Sequence, residues 1–352
     1  MKDCTDLGFV CGPHSLQTEK DSGEQVFQEK SGLVEGFIFS VNSRHELNYC
    51  SIAASFKSNI EKCTTAVGRI FSRYDSPNAE PKWWCGTGFC VNENSVLSAH
   101  HVVKPRHIEN GNTYTLSEVY IYFGVNAKDG EEVSCNFIRT NADSYQLTLL
   151  TTLVDKYFPD KISTVGGTYT WEYLNDFAIL TFKDKKPKDM CYLLPKYPFV
   201  ESDKFFTIGY PGYISQPKFK EDYPQETTNI DGLYATVYRD TNQFEHLVVS
   251  VGIGTLKDKT LSTHRCPTLR GISGGILGTD KSGSYFVGVH IGGDKDMKNN
   301  FAISITYPAF VYAYFQHIVN DSFFQQHITD LHQYKSYYEK IKADHPNGGE
   351  WN

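Results

Sequence analysis

From about residue 65, short apolar runs alternate with Gly, Asn, Asp and Pro, and this spacing limits the fold more than any other feature of the sequence. Runs of this length bounded by turn residues are typical of many β-strands joined by turns. The pattern predicts a β-barrel or β-sandwich and argues against alternating strands and helices. Five such runs are 66–71, 119–123, 177–182, 205–208 and 246–251.

The segments on either side of this region have a different character. Residues 1–64 are of mixed polarity, and we interpret them as an N-terminal extension without an assigned role. After Pro308, apolar residues recur every three or four positions, which predicts one or two amphipathic helices. The sequence thus predicts three parts: an extension (1–64), a β-rich domain (65–308) and a helical tail (309–352).

Charge and composition narrow the classes of partner. The 352 residues carry a formal charge of -7, so no overall positive field attracts nucleic acid, and RNA binding is disfavoured. The first residues lack the apolar core of a secretory signal, and no apolar run is long enough to span a membrane. We therefore expect a soluble, intracellular protein of the cytoplasm without a membrane partner, unless it is cut from a precursor.

The cysteines do not form the dense framework of a small secreted domain. Nine of them, an odd number, are spread from Cys4 to Cys266, which favours free thiols in a reducing compartment. The close pair Cys85 and Cys90 resembles half of a zinc clamp. A structural zinc site needs about four ligands, however, and no second matching pair is present, so no metal is expected.

The strongest local motif is Gly271-Ile272-Ser273-Gly274-Gly275. A nucleophilic serine needs backbone N–H groups aimed at the oxyanion that forms on attack, and glycines permit the tight, positive-φ path that directs them inward. The N–H groups of Gly271 and Ser273 would form this oxyanion hole. By itself the motif also fits an ordinary hairpin or flexible loop.

Two further segments carry the partners that such a serine requires. In Val96–Val103 an apolar strand ends in small residues followed by His101, a position suited to a rigidly held general base. Asp176 directly precedes another apolar strand, where its carboxylate can accept the second imidazole N–H. Taken singly, His101 also fits a structural histidine and Asp176 an ordinary turn aspartate.

The order His101, Asp176, Ser273 resembles that of chymotrypsin-like serine peptidases, over roughly residues 65–308. The resemblance implies an all-β core of two six-stranded barrels, with the active site in the cleft between them. It also implies a Ser-His-Asp triad that hydrolyses peptide bonds through an acyl-enzyme, without a metal or organic cofactor. The partner would be a protein or peptide substrate.

Within this group the sequence is most similar to glutamyl endopeptidases and picornaviral processing proteases. Phe206–Gly212 resembles a strand end of the former, and Thr268 and His290 match residues that line the pocket for the residue before the cleaved bond in both. The implied preference is Glu or Gln, since a hydroxyl and an imidazole can bond a side-chain carbonyl oxygen. Ile291 and Gly293 would offer backbone groups to an extended substrate.

The sequence also departs from these families. Ile272 replaces the aspartate that pairs with a new N-terminus in secreted trypsin-like enzymes, and Val102 replaces a disulfide cysteine. Picornaviral enzymes generally use cysteine where this chain has Ser273, so an engineered replacement of Cys stays open.

The long stretch between His101 and Asp176 predicts an inserted hairpin or loop near the cleft. Because of this stretch, Glu172 and Asp155 remain poorer alternatives to Asp176 as the acid of the triad. An inactive, protease-like module that binds peptides is the alternative function.

Overall fold

The structure is a computed structural model. It describes residues 9–10, 29–30, 33–34, 36–42, 44–47, 53–124, 135–152, 161–164, 167–170, 175–212, 216–222, 231, 234, 247–255, 261–269, 271–293 and 300–344. In chain order the strands are β1 Phe9–Val10, β2 Glu29–Lys30, β3 Leu33–Val34, β4 Gly36–Ser40, β5 Val67–Ser76, β6 Ala79–Cys90, β7 Ser95–Ser98, β8 Arg106–Glu109, β9 Asn112–Tyr122, β10 Ser144–Thr152, β11 Lys161–Thr164, β12 Gly167–Thr170, β13 Ala178–Phe182, β14 Lys204–Gly209, β15 Val248–Thr255, β16 Leu261–His264, β17 Ile276–Thr279, β18 Gly288–Gly293 and β19 Asn300–Ser304. The helices are α1 Ala54–Thr64, α2 Cys135–Thr140, α3 Gln216–Asp222, α4 Pro308–His317, α5 Asp321–Gln326 and α6 Ile328–Asp344.

Six antiparallel strands close the first barrel in the order β6-β5-β9-β10-β13-β7, with β7 pairing back to β6. All four residues of β7, Ser-Val-Leu-Ser, are buried, and the strand pairs with a neighbour on each side. Strands β1 and β8 are added to the outside of this ring on β6 and β9.

Six further antiparallel strands close the second barrel in the order β14-β17-β18-β19-β16-β15, with β15 pairing back to β14. Every residue of β17, β18 and β19 is buried. The two-barrel, all-β core expected from the sequence is confirmed. Each of the five apolar runs overlaps a strand, although β5 continues beyond its run to Ser76, β9 begins before its run at Asn112, and residue 246 lies outside the described residues.

Parts of the segment before residue 65 lie against the second barrel. Strand β4 pairs with β15 along its whole length, and Phe56 of α1 meets Phe206 of β14 edge-on, with ring centroids 5.7 Å apart. Between the candidate histidine and aspartate, β11 and β12 pair with each other as a separate two-stranded hairpin. The boundaries at residues 64 and 308 stay predictions.

The helical tail is confirmed, although it has three helices where the sequence predicted one or two, and it contacts both barrels. The ring centroid of Phe310 in α4 lies 6.3 Å from that of Phe286, in the second barrel region. It lies 5.3 Å from that of Phe177, in the first barrel region. Helix α6 folds back on α4, where Tyr338 stacks on Phe315 with ring centroids 4.8 Å apart. No helix in the described ranges is both long and apolar enough to cross a bilayer.

Candidate active site

His101 lies in a short turn directly after β7. The backbone leaves the strand at Ala99 in an extended conformation and makes one 3-10 turn over His100–Val102. Val102 is packed beneath Gly86 of β6, where a Cβ would lie 2.5 Å from its Cγ1 atom. This close contact packs the turn that carries the imidazole against β6.

Strand pairing brings Asp176 to His101. Ala178 at the start of β13 lies opposite Ser98 at the end of β7. Because the strands are antiparallel, the residues just before β13 lie beside those just after β7. Asp176 Oδ2 is 2.6 Å from His101 Nδ1, and Asp176 Oδ1 accepts the backbone N–H of His101 at 2.8 Å. The carboxylate therefore fixes both the position and the orientation of the imidazole.

The protonation state of Asp176 suits this arrangement. Burial alone would raise the pKa of the carboxyl group, but the charge and hydrogen bonds of His101, with a contribution from His100, outweigh it and hold the pKa below its usual value. Asp176 is thus an anion near neutral pH. A carboxylate in this position stabilises the charged, protonated form of the His101 ring.

The loop 271–275 forms a tight turn that only glycine tolerates at two positions. Gly271 and Gly274 have φ angles of 97° and 88°, in the left-handed region. A Cβ on Gly274 would lie 2.1 Å from the carbonyl oxygen of Thr87. Three N–H groups of the loop are hydrogen-bonded. Ile272 donates to the carbonyl of Leu269 at 3.1 Å, Gly274 to that of His290 in β18 at 2.7 Å, and Gly275 to that of Ile272 at 2.8 Å.

Ser273 is 7% exposed at the centre of this loop, and its carbonyl accepts the N–H of Thr87 at 2.9 Å. Among the residues that the structure describes, the N–H groups of Gly271 and Ser273 make no hydrogen bond. A Cβ on Gly274 would also lie 2.5 Å from Ser98 Oγ and 2.8 Å from Ala99 N. The loop therefore packs against the end of β7, next to the turn that carries His101.

No hydrogen bond joins Ser273 Oγ to the His101 ring within the described ranges. Catalytic hydrogen bonds are often long before substrate binds and shorten in the complex.

Thr268 and His290, the expected pocket residues, are fully buried near this loop. His290 of β18 accepts the N–H of Gly274 through its carbonyl at 2.7 Å and donates its own N–H to the carbonyl of Gly275 at 2.8 Å. Strand β18 is thus joined directly to the loop that carries Ser273. In the described part of the chain, Thr268 Oγ1 is buried without a hydrogen-bond partner.

A second histidine, which the sequence analysis missed, contacts His290. His264 pairs with Asn300 and His290 with Ala302, so both side chains lie on the same face of the sheet. A hydrogen bond of 3.2 Å joins His264 Nε2 and His290 Nδ1. Burial, and then the neighbouring His290, hold the pKa of His264 well below its usual range, so this ring is neutral. The only sequence signal was a histidine on a strand shortly before Thr268.

The expected substrate strand contains an irregularity. Pairing between β18 and β19 passes from His290 to Gly292 and skips Ile291, which marks a β-bulge. Gly292 has a φ of 145°, and a Cβ there would meet nothing within 4 Å. The ladder resumes with Gly292 opposite Phe301 and continues with Gly293 opposite Asn300. The alternatives Glu172 and Asp155 lie outside the described residues.

Comparison with known proteins places this geometry in a family. A family model described as the trypsin-like peptidase domain matches residues 86–289, which is more than half of the chain and spans His101, Asp176 and Ser273. The chain belongs to the trypsin-like peptidase family. This trypsin-like peptidase is a serine endopeptidase, and its substrates are proteins or peptides.

The peptidase is also similar to solved structures, while no curated protein sequence matches it. The active form of Rv3671c protease from M. tuberculosis is 17% identical over 74% of this chain and 86% of that one, with a TM-score of 0.39. An inactive form of the same protease is 14% identical over 72% and 89% of the two chains, with a TM-score of 0.38.

Proposed function

We propose that His101, Asp176 and Ser273 form the catalytic triad of this serine endopeptidase. The observation that carries the proposal is the two-point contact of Asp176 with the ring and backbone of His101, beside the loop that holds Ser273. Because the carboxylate holds the Nδ1 side of the ring, Nε2 is the nitrogen that receives the serine proton. The N–H groups of Gly271 and Ser273 form the oxyanion hole.

The reaction then proceeds through an acyl-enzyme. Ser273 Oγ attacks the scissile carbonyl carbon while His101 Nε2 takes the hydroxyl proton, and the oxyanion is held by the two N–H groups. The intermediate collapses as His101 gives this proton to the leaving amine, which breaks the C–N bond. Water, deprotonated by His101, attacks the ester in the same way and releases the acid, which restores Ser273.

The triad is tested by Ser273→Ala and His101→Ala. Each is expected to lower kcat by several orders of magnitude, because triad members act as a unit. Ser284→Ala and His332→Ala are matched controls that should retain activity, since Ser284 is half-buried in a turn and His332 is exposed on α6. Covalent labelling by a fluorophosphonate should require Ser273, and near-normal peptide cleavage by either triad variant would refute the assignment.

We further propose that Thr268 and His290 line the pocket for the residue before the cleaved bond and favour Glu or Gln there. Both are fully buried, and His290 is bonded through its backbone to the loop of Ser273. A hydroxyl and an imidazole can both bond a side-chain carbonyl oxygen, and neither residue supplies an acid to attract Lys or Arg.

A peptide library varied at this position measures the preference. Enrichment of Glu or Gln is expected, and His290→Ala should reduce kcat/KM most for those residues. A clear preference for Lys, Arg or Phe would remove the pocket assignment while leaving the triad untouched.

The backbone of Ile291 and Gly293 is proposed to pair with the extended substrate on the side of the bulge in β18. Substrates N-methylated at the amide that faces this strand should then show a raised KM.

An intracellular location also stays a prediction, and imaging of the tagged chain in its native cell would test it.

A further inference from the structure

Thr87 occupies the point where the first barrel meets the loop of Ser273. It lies in β6 with no exposed surface, and its polar atoms bond to the loop 271–275, to β7 and to the residue that follows β14. Its N–H donates to Ser273 O at 2.9 Å, and its carbonyl accepts Ser98 Oγ at 2.7 Å. Its side-chain hydroxyl makes two further bonds.

The hydroxyl bonds join the two barrels at the candidate oxyanion hole. Thr87 Oγ1 donates to the carbonyl of Gly271 at 2.8 Å and accepts the N–H of Tyr210 at 2.9 Å. Tyr210 directly follows β14 of the second barrel and is itself buried. One hydroxyl thus satisfies a donor and an acceptor that belong to different segments of the second barrel region.

From these contacts we propose that Thr87 is a positioning residue for the oxyanion hole, acting through the carbonyl of Gly271; this inference rests on the proposed role of that loop. Gly271 has a φ of 97° and no side chain, so its flanking peptides rotate easily. The bond from Thr87 fixes the orientation of the Gly271–Ile272 peptide. The Gly271 N–H belongs to the preceding peptide, which joins the fixed one at the Gly271 Cα, so holding the Gly271 carbonyl limits how far that N–H can turn away from a developing oxyanion.

Removing the hydroxyl leaves two backbone groups without their partner, one in buried Tyr210 and one in part-buried Gly271. The Gly271 carbonyl and the Tyr210 N–H can then recover hydrogen bonds only by moving. The peptide at Gly271 is the more mobile of the two because glycine tolerates the largest range of backbone angles. The expected consequence is a lower population of the catalytically competent loop, and not a loss of substrate affinity.

The test compares Thr87→Val, which keeps the shape and removes the hydroxyl, with Thr87→Ser, which keeps the hydroxyl. Thr207→Val is the matched control, because Thr207 is 1% exposed on β14 and, within the described residues, its hydroxyl makes no hydrogen bond. We expect Thr87→Val to lower kcat about 10- to 100-fold with little change in KM, since losing a whole oxyanion donor lowers it about 100- to 1,000-fold. Thr87→Ser should restore most of kcat, and Thr207→Val should leave it unchanged.

A binding measurement separates hole formation from general damage. A peptide aldehyde forms a hemiacetal with Ser273 whose oxygen occupies the hole, so its affinity should fall with kcat in Thr87→Val. The affinity of a peptide substrate, measured in the Ser273→Ala background, should stay the same with and without Thr87→Val. If Thr87→Val does not fold, Thr87→Cys takes its place in the comparison with Thr87→Ser. A thiol is a weak donor and acceptor, so Thr87→Cys also removes the strong hydrogen bonds of the hydroxyl.

Two outcomes would overturn the inference: equal kcat for Thr87→Val and Thr207→Val, or equal loss of aldehyde and substrate affinity. Either result leaves the triad intact as long as Ser273→Ala remains inactive. Failure of the triad would instead appear as cleavage by Ser273→Ala itself.

Discussion

At the scale of single residues, the site depends on a few atoms held in one geometry. The Asp176 carboxylate makes a 2.6 Å contact with the imidazole and a 2.8 Å bond to the backbone of the same histidine. The second bond ties the acid to the turn as well as to the ring. A neutral amide in its place would keep the size of the side chain but would not stabilise a protonated ring.

Asp176→Asn is expected to lower kcat about 10,000-fold with a much smaller change in KM, because the amide favours the wrong imidazole tautomer. Steady-state kinetics on one peptide substrate measures both constants. Asp184→Asn, the same change at an exposed position just after β13, is the control. A loss under tenfold in Asp176→Asn would mean that another acid serves His101.

Gly274→Ala should abolish activity, because its Cβ would overlap the Thr87 carbonyl at 2.1 Å in addition to the strain of a φ of 88°. Gly283→Ala is the matched control. Its φ of 66° is also positive, but its Cβ would meet only the Tyr285 ring at 3.5 Å. The control should lose about 1 to 2 kcal/mol of stability and retain turnover. Equal turnover in the two variants would contradict the close packing of the loop on β6.

At the scale of elements, the helical tail is tied to the segment before the candidate acid. Tyr307, just ahead of α4, donates its hydroxyl to Asn175 Oδ1 at 3.3 Å, and Asn175 directly precedes Asp176. Helix α6 supports the same link through two hydrogen bonds. Tyr334 donates its hydroxyl to the carbonyl of Ile305, and Tyr337 donates its hydroxyl to the carbonyl of Thr306. The tail is thus part of the packing behind the active site.

Tyr334→Phe is expected to lower the free energy of unfolding by about 1 to 3 kcal/mol, because it leaves the buried Ile305 carbonyl unsatisfied. Tyr337→Phe should cost less, since that hydroxyl is only part-buried and water can replace it. Urea unfolding of both variants gives the comparison. A smaller loss for Tyr334→Phe than for Tyr337→Phe would show that α6 does not hold this link as described.

At the scale of the whole molecule, stability should depend on pH through buried neutral histidines. His264 is fully buried with its pKa held well below the usual range, first by burial and then by His290. In the unfolded chain the same residue binds a proton near pH 6.5. As pH falls below this value the unfolded state gains protons that the folded state does not, so the folded state loses stability.

The free energy of unfolding should therefore decrease by up to about 1.4 kcal/mol per pH unit for His264 as pH falls from about 6.5 towards its folded pKa. Urea titrations between pH 7.5 and 5.5 measure the slope. His264→Gln should flatten it, and His332→Gln, at an exposed position, should not. An unchanged slope in His264→Gln would mean that the residue is not buried in its neutral form.

Much of this protein can be predicted from short stretches of sequence. The apolar runs bounded by turn residues indicated a β-barrel or β-sandwich, the resemblance carried by three motifs implied two barrels, and the spacing after Pro308 indicated the helical tail. The motifs around His101, Asp176 and Ser273 selected the candidate triad because each combines a reactive side chain with a strand end or a glycine turn, and those features are local.

Only the tertiary structure identified Thr87 and His264, because their partners lie far away in the sequence. Thr87 bonds to Gly271, 184 residues further along. His264 and His290 meet because their strands, β16 and β18, both pair with β19 in a register that places the two side chains on the same face. Local patterns specify which backbone conformation a segment takes, but the closure of each barrel decides which segments meet. The sequence by itself therefore determined five of the strands, the helical tail and the candidate reactive residues, while the packing of one barrel against the other decided what holds those residues in place.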